Sequence, residues 1–320
     1  LLGLAVGDAL GAPVEFLSLE KIQRKYGLDG ITGFQEWSGH KPGSYTDDAQ
    51  MSLATAVGCI RGKQRWINRG ICDAATVVYN RYLGWLQTQD DPTQSRGPGN
   101  TCLTALRSGK MGTIEKKIND SKGCGGVMRT APAGLAFGPE DAFRKGAEFA
   151  AITHGHPSGY LSAGFLSELI AQLVRGQDLA KSLSLSIKEL IKFKGHEETL
   201  NQIELARELS RKDISINNAI SDLGSGKVGE EALGISIYCS LISGNDWKKG
   251  TLAAVNHSGD SDSTGSITGA ILGTLLGVES IPGQWVKEVE NSAGIIKIAD
   301  DMFKIFVKGE DLSFEEYPPN

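Results

Sequence analysis

Apolar residues recur along this chain at three- and four-residue intervals, and Gly or Pro turns separate the runs. That spacing predicts helices over residues 46–60, 74–86, 139–152, 160–175, 179–193, 197–209, 214–223, 230–243, 246–256, 263–278 and 295–308. A further apolar stretch over 4–16 predicts a helix ended at Gly11 and Pro13, with Glu15 on the loop that follows. Alternating patterns are scarce, and residues 31–37 alone read as a short extended piece. Residues 88–100 form a polar Gly/Pro loop, and 317–320 read as a tail. No composition break or long linker divides the chain. The expected architecture is a single all-α domain over 1–320.

Two rows of glycine sharpen this picture. Gly3, Gly7 and Gly11 are spaced by four, as are Gly265, Gly269, Gly273 and Gly277. Residues four apart share a helix face. A glycine face lets another backbone approach closely, at a cost in helix propensity. The rows predict two buried helices in close contact, which draws Asp8 and the acids around Asp260 toward one region.

Those acids come in two clusters, each at a predicted helix start. One is Thr46-Asp47-Asp48; the other is Asp260-Ser261-Asp262-Ser263-Thr264. A lone Asp before a helix is usually a cap. Paired carboxylates with hydroxyls beside them are also the ligand set that hard divalent cations favour. Cap and ligand set stand level on this evidence. The loop Ser121-Lys122-Gly123-Cys124-Gly125-Gly126 could cradle a phosphate on its backbone N–H groups or be a tight turn, with Arg129 paired to a nearby acid. It is neither a P-loop nor a dinucleotide fingerprint. His154 and His156 lack the third ligand a zinc site needs.

Composition excludes more than it selects. The chain is 40% hydrophobic and 22% charged, with a net charge of -5, which disfavours nucleic acid as the main ligand. Five scattered cysteines without a CxxC fit a reducing, cytoplasmic compartment and no disulfide framework. No apolar run reaches the length of a membrane span.

Taken in order, GDALGAPVE, YTDDAQM, GCGGVMR with THGHP, and HSGDSDSTGSITG closely resemble the ADP-ribosylglycohydrolase family, of the dinitrogenase-reductase-activating type. The resemblance runs from Gly3 to about Gly277. It implies a compact orthogonal helical bundle with two Mg²⁺ ions, or Mn²⁺, at the base of a cleft. By motif, Thr46, Asp47, Asp48, Asp260, Asp262 and Ser263 correspond to metal ligands. Glu15 corresponds to a mobile acid, and Asp260 and Glu15 to the catalytic carboxylates. Gly99, Ser121, Lys122, Gly123, Cys124, Gly125 and His154 correspond to the ADP-ribose contacts. Cys124 stands where Asn is common, and Ser263 where Thr is common.

The activity so implied is metal-dependent release of ADP-ribose from an ADP-ribosylated protein or small molecule, with protein arginine as the leading acceptor. A second reading keeps the fold but acts by occupancy, sequestering ADP-ribose or blocking an ADP-ribosyltransferase toxin. A metal phosphohydrolase acting on nucleotides is a third, which the motif order disfavours.

Overall fold

The structure is a computed structural model that describes residues 1–318. Among these residues there are sixteen α-helices and no β-strand; two isolated bridges join Trp37 to His40 and Gly123 to Val228. The helices are α1 (Leu2–Gly11), α2 (Leu19–Tyr26), α3 (Asp47–Arg69), α4 (Ala74–Thr88), α5 (Asn100–Arg107), α6 (Ala131–Ala136), α7 (Pro139–Ala151) and α8 (Pro157–Val174). They continue as α9 (Leu179–Leu190), α10 (Glu197–Leu209), α11 (Ile216–Leu223), α12 (Gly229–Ile242), α13 (Trp247–Val255), α14 (Ser261–Leu276), α15 (Gly283–Glu288) and α16 (Ser292–Phe303). No single helix among them is long and apolar enough to cross a membrane.

Helix α8 is buried along nearly its whole length and packs against α6, α7, α9, α12 and α14. Around it α12 and α14 are also buried on most sides, so their polar residues are small. Ser236 and Thr264, for example, bond back to carbonyls one turn earlier, at Ala232 and Asp260. Outer helices start on side-chain caps: Ser18, Asp73, Asp178, Ser215 and Asp246 each accept a backbone N–H of the first turn.

The two glycine rows meet each other. A Cβ on Gly3 would collide with the carbonyl oxygen of Gly269, one on Gly7 with that of Gly265, and one on Gly11 with that of Ser261. The collisions are reciprocal for Gly265 and Gly269. Helices α1 and α14 therefore touch backbone to backbone, which no side chain permits. Trp247 seals the contact, its indole N–H donating to the Gly269 carbonyl at 3.3 Å.

Three expectations are corrected. Residues 31–37 form a loop, held by Asn256, whose side chain accepts from the Ile31 N–H and donates to its carbonyl. Helix α3 runs on to Arg69, because Gly58 packs against Val78 of α4 and the turn waits for Gly70 at φ 72°. Tyr317, read as part of a tail, is buried, and its hydroxyl donates to Asp301 at 2.9 Å. Pro319 and Asn320 lie outside the described residues.

The glycine contact has opposite consequences at two positions. Gly7→Ala must push two backbones apart, which outweighs the roughly 1 kcal/mol gained in helix propensity. A net loss of about 2 kcal/mol or more is expected in denaturant unfolding. At Gly273 an added Cβ meets the Gly3 Cα at an ordinary 3.5 Å, so Gly273→Ala is expected to be neutral or to stabilise by up to about 1 kcal/mol. Equal effects at the two positions would contradict the packing described.

Candidate active site

Asp8 shows how the glycine contact builds the site. It is fully buried on α1, and its two carboxylate oxygens accept the Thr46 and Ala49 backbone N–H groups, each at 2.8 Å. It thus caps α3 from a different helix and fixes where that helix begins. Burial pushes the Asp8 carboxyl up to about 7 against the pull of these two bonds. Thr46 adds its own cap, its hydroxyl accepting from Asp48 N–H at 3.2 Å. Asp47 and Asp48 then occupy the first turn of α3.

The second cluster arrives on α14, with Asp260 as N-cap residue and Asp262 in the first turn. The Asp260 N–H donates to Ser225 at 2.8 Å. The residue after Glu15 is tied to the same loop: the Phe16 N–H donates to the Gly259 carbonyl at 2.7 Å, with Phe16 at φ 56°. Glu15, Asp260 and Asp262 each offer a carboxylate oxygen within 4.8 Å of the others. With Asp47 and Asp48 they line one cavity of about 240 Å³.

This many carboxylates in one buried place oppose their own ionisation. Burial, then like charge, raises Asp47, Asp48 and Asp262 well above the usual range and Glu15 to about 8. The Gly99 N–H offsets part of this at Asp47. One oxygen each of Asp48 and Asp262, both Oδ1, is buried without a hydrogen-bond partner. A buried carboxylate oxygen left bare is costly. Oxygen donors so arranged fit a hard divalent cation.

The Gly-rich loop lies beside the acids. The Cys124 thiol donates to Asp260 Oδ2 at 3.1 Å, so this residue faces the second acidic cluster directly. Ser263 lies against Cys124 and Met128. A Cβ on Gly125 would sit 3.1 Å from both the Cys102 sulfur and the His154 ring, so any side chain here would have to displace one of them slightly. Burial beside Arg129 lowers His154 to about 3, which leaves it neutral.

Of the residues singled out from sequence, Glu15, Asp47, Asp48, Gly99, Gly123, Cys124, Gly125, His154, Asp260, Asp262 and Ser263 line the cavity. Thr46, Ser121 and Lys122 do not. The Thr46 hydroxyl is occupied in capping. Ser121 lines a neighbouring cavity of about 430 Å³ that shares Asn100 and Thr101 with the first. The Lys122 ammonium is held by Glu230 at 2.6 Å and Glu198 at 3.0 Å. Arg129 has no acid partner among the described residues: it donates to Thr153, the Phe149 carbonyl and Cys102, and lies over the Tyr82 ring at 4.4 Å. Sequence reasoning missed Phe16, Asn100, Thr101 and Lys227 in the cavity wall. None belongs to a spacing pattern, though Asn100 and Thr101 follow Gly99 and open α5.

Residues 1–311 match the family described as ADP-ribosylglycohydrolase. The chain is 27% identical to the ADP-ribosyl-[dinitrogen reductase] glycohydrolase of Rhodospirillum rubrum, covering 90% of this chain and 88% of that one. It is 24% identical to the ADP-ribosylarginine hydrolase Tri1 of Serratia proteamaculans, over 95% and 77%. It is 26% identical to the ADP-ribosylhydrolase ARH3 of Mus musculus, over 96% and 90%. A solved structure titled ADP-ribosylglycohydrolase-related protein complex superposes with a TM-score of 0.68 at 24% identity, covering 96% of each chain. The same four motifs that line this cavity, and a family match across nearly the whole sequence, place the chain in the ADP-ribosylglycohydrolase family of glycosyl hydrolases.

Proposed function

We propose that this chain hydrolyses, with divalent metal, the bond joining ADP-ribose to an arginine side chain of a protein, and releases free ADP-ribose. The observation that carries the metal requirement is the meeting of two acidic helix starts, with bare buried oxygens on Asp48 and Asp262. Asp47, Asp48, Asp260 and Asp262 would hold two Mg²⁺ ions, or Mn²⁺, with the Ser263 hydroxyl adjacent. Thr46 would join them through the second lone pair of its hydroxyl, the first accepting the Asp48 N–H. Such ions, when bound, orient ribose hydroxyls and lower the pKa of a bound water. The arginine acceptor is supported by the names of relatives, two of which are ADP-ribosylarginine hydrolases.

The chain's own residues supply the remaining roles in this reading. Asp260, in contact with the Cys124 thiol, would take a proton from the attacking water or stabilise the oxocarbenium-like sugar. Glu15 is the second carboxylate and sits on a loop, half-exposed at the cavity edge. Gly99, Gly123 and Gly125 leave backbone open to the ligand, and the neutral His154 ring offers a polar edge without charge. The cavity that adjoins at Asn100, Thr101 and Ser121 gives room for the rest of an ADP-ribose.

Two outcomes test this. Arginine-ADP-ribosylated protein incubated with the chain and Mg²⁺ should yield free ADP-ribose, and EDTA should stop it. Asp260→Asn and Asp262→Asn should lower the rate by at least about 10³-fold while the fold survives. Undiminished activity in either variant would refute the assignment. AMP or phosphate as product would indicate a phosphohydrolase. Tight ADP-ribose binding without turnover of arginine or serine linkages would favour action by occupancy.

The second outcome concerns pH. Glu15 titrates near 8 in the folded, metal-free chain and near 4.5 unfolded. Between these values the folded state holds a proton that the unfolded state has lost, so this carboxyl's contribution to stability falls as pH rises. In chelator, the wild type should lose stability relative to Glu15→Gln as pH rises from about 5 to about 8. The gap in Tm between the two proteins should widen with pH. A gap independent of pH would show that Glu15 is not held protonated by its neighbours.

A further inference from the structure

We infer that Lys227, rather than Lys122, is the cation that grips the phosphates of the ligand. The inference rests on the ADP-ribose reading above and adds a residue that no motif contains. Lys227 is the only lysine or arginine in the wall of the acid-lined cavity among the described residues. It is exposed and, among the described residues, has no carboxylate partner on its ammonium. Its ammonium lies over the Phe16 ring, 5.2 Å from the centroid. Lys122, by contrast, already has two carboxylates on its ammonium.

Backbone pairing explains why Lys227 stands at this place. The Cys124 N–H donates to the Lys227 carbonyl at 3.1 Å, and the Gly229 N–H to the Lys122 carbonyl at 2.8 Å. The segment through Lys227 is thereby laced to the Gly-rich loop. One rim of the cavity then carries both glycine backbone and an ammonium. An ammonium beside buried acids that forms no ion pair with them remains free to meet an incoming anion. A lysine of this kind acts on phosphate as a point charge. The ring of Phe16 holds it in the meantime, through a contact weak enough to give up.

The test is titration calorimetry of ADP-ribose into the full metal-loaded chain, at about 50 and 500 mM salt. Lys227→Met keeps the aliphatic stem and removes the charge. It should weaken ADP-ribose binding about ten-fold at low salt, with a smaller loss at high salt. Lys227→Arg should bind within about three-fold of wild type. Circular dichroism melting should show both variants folded as wild type. A Lys227→Met chain within two-fold of wild type would overturn the inference. So would a loss that salt does not reduce, or an Arg variant as weak as the Met variant. If the wild type itself fails to bind ADP-ribose, the reading of the whole site falls, and this inference falls with it.

Discussion

Everything at the site depends on a backbone contact between α1 and α14. Gly3 and Gly7 on one helix and Gly265 and Gly269 on the other interlock so closely that a Cβ at any of them meets a carbonyl oxygen. Each glycine costs a helix about 1 kcal/mol relative to Ala. The return is geometric. The end of α1 is brought to the start of α14, so Asp8 reaches beneath α3 and Glu15 comes within 4.8 Å of Asp260 and Asp262. Wider packing would separate these groups, and α3 would lose the remote acid that fixes its first turn.

The second constraint is charge. Carboxylates about 4 Å apart repel by about 4 kcal/mol at an effective dielectric of 20. The N-termini of α3 and α14 both bear on the cavity and favour negative charge, but each contributes only about 0.3–1 kcal/mol per group. Helix dipoles therefore lose to repulsion and burial, which is why Asp47, Asp48 and Asp262 are held well above the ordinary carboxylate range. A cation between the two helix starts reverses that balance, since it turns each repulsive neighbour into a fellow ligand. Asp8 differs because backbone N–H groups satisfy both of its oxygens. It is a structural acid within the same sequence motif as Glu15.

Much of this was legible in the sequence, for definable reasons. The glycine rows announced their contact because a period of four survives in the sequence, and the two clusters announced helix starts through ordinary capping chemistry. The four helices that the pattern did not reveal are short: α2 and α5 have eight residues each, α6 and α15 six. Helix α2 buries only Ile22, so it presents no apolar stripe to read. The end of α3 was obscured by Gly58 and Gly62, whose absent side chains make room for Val78 and Cys72. The side chains of Lys122 and Lys227 could not have been placed from spacing. Their destinations follow from Glu198 and Glu230, and from a backbone pairing across more than a hundred residues.

The Gly-rich loop illustrates how packing and binding share one cause. Its glycines answer first to what lies behind them: the Gly159 carbonyl leaves no room for a Cβ on Gly126, and His154 and Cys102 pack tightly on Gly125. Behind those residues lies Arg129, fully buried, with sulfur, carbonyl, hydroxyl and ring as its partners in place of a carboxylate. Removing a cation from water without an anion is expensive. The arrangement keeps a positive charge one layer beneath the loop, where it helps to hold His154 neutral. A carboxylate partner for Arg129 would cancel that field. The loop, with the Gly123 and Cys124 N–H groups already bonded to Ser121 and Lys227, thus lines the cavity next to the acids, with a buried guanidinium behind it. In the proposed reaction, the acids would hold the metals and the loop beside them, with Lys227, would meet the diphosphate.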